Sequence, residues 1–181
     1  MSFIRSTSNP TELQKREYVN MVIGNFTDFI KEICEMGGRK FAFQNVGPLG
    51  CLPLLKQEYN LSGGACVEVL QEFASLHNSL LSSITMELQS QISGFKYLII
   101  DSYRDYECRR VKEYELRNNP NDYVFFDGDH QSEHANSISS NFLWNGGSGF
   151  TWPLSMKQFY ELNSTTAIEI LSEGRLQPHI L

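Results

Sequence analysis

Cysteine is scarce in this chain, and its spacing excludes several classes of protein. Four cysteines occur in 181 residues, at Cys34, Cys51, Cys66 and Cys108, and no two of them form a Cys-x-x-Cys motif. A disulfide-built scaffold, a zinc ribbon and a thioredoxin-type redox site therefore have no support. Cys51 and Cys66 are close enough in sequence to bridge a loop if the chain folds in an oxidising compartment.

An excess of basic residues and long apolar runs are also lacking. The 15 lysines and arginines are outnumbered by 21 acidic residues. This balance argues against a nucleic-acid surface, because basic side chains are needed to neutralise phosphates. No apolar run approaches the roughly 18 residues of a membrane helix. The first residues, MSFIRSTSNPTELQ, contain no apolar segment of the signal-peptide type, so we expect no signal peptide in this chain.

Glycosylation motifs favour a secreted protein. Asn25, Asn60 and Asn163 each begin an Asn-x-Ser/Thr sequon. Such triplets also arise by chance in a chain of this length, so the sequons alone leave secretion open.

The patterns that are present predict one α/β domain over residues 1–181. The length is that of a single domain with a proper core, and 41% hydrophobic residues is a globular composition. Apolar residues at helical spacing predict helices, and short aromatic or β-branched runs predict buried parallel strands. This order of elements is typical of a parallel sheet with helices on its faces. The predicted elements are helix 11–36, strand 40–46, helix 66–92, strand 95–101, strand 123–127, helix 132–144 and helix 156–162.

The segment VFFDGDHQSEHAN, residues 124–136, concentrates titratable side chains just after a predicted strand. Ligands of α/β sheets bind beyond the carboxyl ends of the strands. In a D-x-x-H turn at such a place, Asp127 would orient and charge the imidazole of His130, which would then act as a general base.

Two other interpretations of this segment remain open on residue types alone. His130 and His134 are one helical turn apart, and with Asp127 and Asp129 they could hold a metal ion for hydrolysis. Alternatively, Asp129 and Glu133 merely favour the start of a helix through its macrodipole, and the histidines are surface residues.

Several blocks together resemble a known family. They are GGRKFAFQNVGPLGCLP, the His77-Asn78 pair, YVFFDGDHQSEHAN with the following FLW, and TWPLSMKQFYEL. In this order and register they resemble the plant GDSL esterase/lipase family of the SGNH hydrolases, and above all its pathogen-response-type secreted lipases. The similarity covers about residues 18–162 and leaves 163–181 as a tail. His77 and Asn78 also fit a purely structural role, as one polar notch on an amphipathic helix.

The resemblance implies a fold, an activity and a site. The fold is a three-layer α/β/α, flavodoxin-like SGNH hydrolase, here truncated at its N-terminal side. The activity is hydrolysis of acyl esters or lipids by a Ser-Asp-His triad, without cofactor or metal, in a secreted glycoprotein. Asp127 and His130 match the Asp and His of the triad. Cys51 and Cys66 keep the family's spacing for a disulfide.

The chain departs from the family pattern in ways that bear on activity. It contains no Gly-Asp-Ser block for the nucleophile and no Gly or Asn block for the oxyanion hole. Ser148 lacks the preceding strand and the second glycine of a nucleophile elbow. Gln131 replaces the usual proline, and Arg117 stands where a partner cysteine for Cys108 is often found. We therefore predict a chain that is inactive alone; the alternative is a non-catalytic truncated homologue that serves as a binding or decoy protein.

Overall fold

The computed structural model describes residues 9–102, 119–146 and 149–162. Two long helices lie on one face of a small sheet. Helix α1, Glu12–Glu35, begins at Thr11, whose side chain forms a capping box with Gln14. It ends before Gly37, which has a φ of 101° that favours glycine.

In the part of the chain that the structure describes, three strands form the sheet in the order β1-β2-β3. Strand β1, Lys40–Gln44, runs parallel to β2, Lys96–Ile100. Strand β3, Thr151–Trp152, pairs antiparallel with the end of β2. The sheet is therefore mixed, and the prediction of an all-parallel sheet was incomplete. Strand β3 has only two residues, which is too short for an apolar run that would predict a strand.

The other α-helices within the described residues are α2, Pro53–Glu58; α3, Glu68–Gln91; α4, Glu133–Asn145; and α5, Met156–Glu161. The predicted α/β fold is confirmed, and the helices predicted over 11–36, 66–92, 132–144 and 156–162 correspond to α1, α3, α4 and α5 with small shifts at their ends. Helix α2 lies between the predicted strand 40–46 and the predicted helix 66–92, where the sequence predicted no element. None of the helices in the described residues is long and apolar enough to cross a membrane.

Alternate residues of β2 bury opposite faces of the sheet. Tyr97 and Ile99 pack with α1 and α3 in the main core, which also holds Phe43 and Phe95. Leu98, on the other face, packs against α5. Burial raises the pKa of the Tyr97 hydroxyl to about 12, although a hydrogen bond with Thr85 opposes the shift.

One buried cation joins the two long helices. The Lys15 ammonium, on α1, lies 2.6 Å from the carboxylate of Glu12 and 2.5 Å from that of Glu72 on α3. Hydrogen bonds to these two carboxylates raise the pKa of Lys15. The pair of acidic partners compensates for the removal of this charge from water.

One sequence prediction about strands was wrong. Residues 123–127 do not add a strand to the sheet: Phe125 forms only an isolated antiparallel bridge with Gln131, and Phe126 is 66% exposed. The backbone folds back on itself here, since the Phe126 N–H donates to the His130 carbonyl at 2.8 Å and the Ser132 N–H donates to the Val124 carbonyl at 2.8 Å. The backbone groups that a sheet strand would need for pairing are hydrogen-bonded within this local hairpin instead.

Strand β1 is at the edge of the sheet. Among the described ranges its strand partner is β2. Ala42 pairs with Leu98 and so lies on the α5 face of the sheet, where it is exposed. Parallel strands are normally covered on both faces, and an open edge presents unpaired N–H and C=O groups.

Candidate active site

The hairpin of residues 124–132, called here the Asp-His hairpin, ends at the first residue before α4. Ser132 is buried, and its hydroxyl donates to the Tyr123 carbonyl at 2.6 Å. The same hydroxyl accepts the Ala135 N–H at 3.2 Å and caps α4. The hairpin is thus fixed at its base by one side chain that also begins the next helix.

Asp127 organises the tip of this hairpin. Its Oδ1 accepts the backbone N–H groups of Asp129 at 3.0 Å and His130 at 2.8 Å. The Nδ1 of His130 lies 2.9 Å from Oδ1 and 2.8 Å from Oδ2 of the same carboxylate. These hydrogen bonds hold the pKa of Asp127 well below its usual range. The bond from the Asp129 N–H has the largest effect, followed by those from the His130 N–H and the His130 imidazole.

The geometry determines the tautomer of His130. An ionised carboxylate has no proton to donate, so the short contact requires Nδ1 to carry the proton. The unprotonated Nε2 of the neutral ring is then left as the acceptor. The hydrogen bond to Asp127 and, after it, the charges of Asp127 and Asp129 raise the pKa of His130 above 6.5. The His130 side chain is 74% exposed, so water screens these charges.

The structure brings together only some of the residues that the sequence suggested as metal ligands. Ligand atoms of Asp127, Asp129 and His130 lie within 4.8 Å of one another. His134 is not part of this group, although the sequence placed it one helical turn from His130. The imidazole Nδ1 is already engaged by the Asp127 carboxylate, which fits an acid–base pair better than a ligand set.

The Asp-His hairpin lines one side of a cleft of about 570 Å³ at the carboxyl ends of β1 and β2. Gln44 and Ser102 form a polar wall of the same cleft, and the Gln44 side-chain amide donates to the Ser102 hydroxyl at 2.8 Å. The Asn45 amide donates to Asp101 at 3.0 Å and accepts the Ser102 N–H at 2.7 Å. Ile100, Leu143 and Phe150 add apolar surface to the cleft.

Sequence reasoning missed this polar wall. Gln44, Asn45, Asp101 and Ser102 stand at the ends of the two predicted buried strands, a position where α/β proteins place their ligands. Their position at the strand ends could have predicted a binding site, but this criterion was applied only to the Asp-His segment.

The His77-Asn78 pair supports the loop after β1. The Asn78 side chain accepts the Val46 N–H and donates to the Val46 carbonyl, both at 2.8 Å. The Nδ1 of His77 lies 3.3 Å from Asn78 Oδ1. These contacts agree with the structural role that the amphipathic helix suggested.

Other predicted residues are distributed away from the cleft. Cys51 and Cys66 form a disulfide, and the thiol of Cys34 is buried and free. Asn25 and Asn60 are exposed. The predictions that concern Cys108, Arg117, Ser148 and Asn163 lie outside the described residues.

Known proteins support the family assignment. The pattern of the GDSL-like Lipase/Acylhydrolase family matches residues 3–143. "GDSL esterase/lipase 5" of Arabidopsis thaliana is 32% identical over 178 residues, which cover 81% of this chain and 46% of that protein. "GDSL lipase" of Tanacetum cinerariifolium is 30% identical over 181 residues, which cover 84% of this chain and 49% of that protein.

One of the relatives is named as inactive. "Inactive GDSL esterase/lipase-like protein 25" of Arabidopsis thaliana is 33% identical over 171 residues, which cover 80% of this chain and 40% of that protein. The chain spans about half the length of the curated relatives it matches. The family match extends over most of the chain and includes the Asp-His hairpin, so the chain belongs to the GDSL-like lipase/acylhydrolase family.

Proposed function

We propose that this chain carries the acid–base half of a serine ester hydrolase that acts on acyl esters or lipids. The observation that carries the proposal is the two-oxygen contact between the Asp127 carboxylate and His130 Nδ1, at 2.9 and 2.8 Å. It holds the ring in the tautomer whose Nε2 accepts a proton. The cleft beside it combines apolar surface with hydroxyl and amide groups, which suits an ester with a polar and an apolar part.

The chemistry follows the general serine-hydrolase scheme. His130 Nε2 would take the proton from a serine hydroxyl while the serine oxygen bonds to the ester carbonyl carbon. Asp127 would stabilise the imidazolium, which then returns the proton to the departing alcohol oxygen. A water molecule, deprotonated in the same way, would release the acid from the acyl-enzyme.

The nucleophile is the part that this sequence does not supply. No Gly-Asp-Ser triplet occurs in the 181 residues. In the proposal, the serine and the oxyanion hole belong to the portion of the family's length that this chain does not match. Removing the whole nucleophile eliminates covalent catalysis and leaves substrate binding.

We expect the isolated chain to hydrolyse p-nitrophenyl butyrate no faster than its His130→Ala variant. We also expect activity in a chimera in which the chain replaces the matching part of the Arabidopsis GDSL esterase/lipase 5. The measurement is the release of p-nitrophenol by both proteins. Turnover by the chain alone that His130→Ala abolishes would show that a nucleophile is present and contradict the proposal.

A second candidate function is a non-catalytic homologue that binds or sequesters a partner. The relative named inactive, at 33% identity, favours it. This alternative predicts a monodisperse isolated chain that melts cooperatively and a chimera that folds without hydrolysing esters. Aggregation of the chain through the open edge of β1, together with an active chimera, would eliminate it.

We further propose that the protein is a secreted glycoprotein. The Cys51–Cys66 disulfide fits an oxidising compartment, and Asn60 is exposed in a turn with a φ of 53°. After expression through a secretory pathway, Asn60→Gln should remove the mass of one glycan, as seen by electrophoresis with and without glycosidase. Asn20→Gln is the matched control, because Asn20 is exposed but Asn-Met-Val is no sequon. Equal masses of wild type and Asn60→Gln would refute glycosylation at Asn60.

A further inference from the structure

The tip of the Asp-His hairpin contacts another part of the chain. The Gly128 carbonyl, between Asp127 and Asp129, accepts the Leu54 N–H at 2.9 Å. Leu54 is in the first turn of α2, where a backbone N–H has no partner within its own helix. A Cβ on Gly128 would lie 3.1 Å from the Cβ of Leu54, so the two backbones approach closely here. This contact is distinct from the Ser132 contacts that fix the hairpin at its base.

Helix α2 is joined to the start of α3 through the residues just before it. It lies in the loop closed by the Cys51–Cys66 disulfide, called here the disulfide loop. At the neck of this loop, the Val67 N–H donates to the Gly50 carbonyl at 2.9 Å. The Gly50 N–H donates to the Gln71 side chain, also at 2.9 Å.

Tight packing reinforces the neck. A Cβ on Gly50 would lie 2.3 Å from the Val67 carbonyl oxygen, so no larger residue fits there without a backbone shift. Leu55, the residue after Leu54, is buried against Val67 and Leu70. The disulfide loop is therefore a stable base from which Leu54 can hold Gly128.

We propose that the disulfide loop is a positioning element for the acid–base pair, and that it acts through the hydrogen bond from Leu54 to Gly128. Asp127 must present its Oδ1 to two backbone N–H groups and both oxygens to His130. Gly128 lies inside that tight turn, so a displacement of its peptide group changes the angle between the carboxylate and the imidazole. The inference rests on the proposed function, because that function gives the pair its catalytic meaning.

The test compares variants of the full chain by NMR. Gly128→Val forces the hairpin away from Leu54. Gly64→Val is the matched control, since Gly64 lies in the same loop and a Cβ added to it would meet nothing within 4 Å. Leu54→Ala keeps the N–H donor and serves as a second control. The readouts are the pKa of His130, whose ring faces Asp127 and Asp129, and hydrogen exchange at the His130 amide.

We expect Gly128→Val to lower the pKa of His130 toward 6.5 and to speed exchange at its amide about three- to tenfold, the range of one hydrogen bond. Chemical reduction of the Cys51–Cys66 disulfide in the wild type should do the same without any substitution. Gly64→Val and Leu54→Ala should match the wild type. Unchanged readouts in Gly128→Val or after reduction, or equal changes in Gly64→Val, would overturn the inference.

These readouts need no turnover, so the two proposals can fail separately. Insensitive NMR readouts with an active chimera would refute the positioning role alone. An inactive, folded chimera whose His130 still responds to Gly128→Val would refute the proposed function alone.

Discussion

We expect His130→Gln to lower the esterase activity of the chimera by about four orders of magnitude, the effect typical of losing the base of a serine-hydrolase triad. Glutamine retains polar groups but cannot take up the serine proton at neutral pH. The loss should appear in kcat, since the imidazole acts on the reacting hydroxyl rather than on substrate binding. The measurement is a saturation curve for p-nitrophenyl butyrate with both proteins.

His134→Gln is the matched control for this substitution. His134 is exposed on α4 and is not part of the Asp127, Asp129 and His130 group. Its replacement should leave kcat within about twofold, as is usual for surface changes. A chimera that loses activity with His134→Gln but retains it with His130→Gln would reverse the assignment of the base.

The pH dependence of the chimera follows from the same pair. His130 works as a base only when it is neutral, and Asp127 raises its pKa, so kcat should increase with pH through that raised value. Asp127→Asn should move this increase to lower pH, because the stabilising carboxylate is gone. It should also lower kcat, because an amide can donate to Nδ1 and favour the wrong tautomer. An unchanged pH profile would show that Asp127 does not act on His130.

We expect Phe95→Ala to destabilise the domain by about 3–5 kcal/mol, the usual cost of truncating a fully buried aromatic residue. The Phe95 side chain is 1% exposed, and its ring stacks on Phe41 with centroids 4.9 Å apart. Its removal leaves a cavity between the start of β2 and the helices of the main core. Urea unfolding, with similar m-values for both proteins, gives the free energy of unfolding.

Phe126→Ala is the matched control on the surface. The Phe126 side chain is 66% exposed, so the same chemical change should alter the free energy of unfolding by less than about 0.5 kcal/mol. Equal losses for the two variants would mean that Phe95 is not part of a packed core.

The sequence predicted the long elements well because their signals are local. Helical spacing predicted α1 and α3, and the capping oxygen of Ser132 marked the start of α4 within the sequence itself. The runs FAF and YLII predicted the strands that became β1 and β2. Where the pattern was too short, at 123–127, the aromatic run predicted a strand that the structure replaces with a hairpin.

The Asp127–His130 contact was also within reach of sequence reasoning. The two residues are three apart, so one turn brings them together, and the D-x-x-H spacing predicted that geometry. The polar wall of the cleft was not predictable in detail. Gln44 and Ser102 are 58 residues apart, and their hydrogen bond depends on the register that pairs Gln44 with Ile100.

By itself, the sequence determined the α/β class, the limits of the long helices and the turn that joins Asp127 to His130, because periodicity, capping and short turns act between neighbours in the chain. Only the tertiary structure decided the antiparallel β3, the wall of the cleft and the contact between Leu54 and Gly128. Each of these joins segments that are distant in sequence, and their pairing is set by how the helices and sheet pack together.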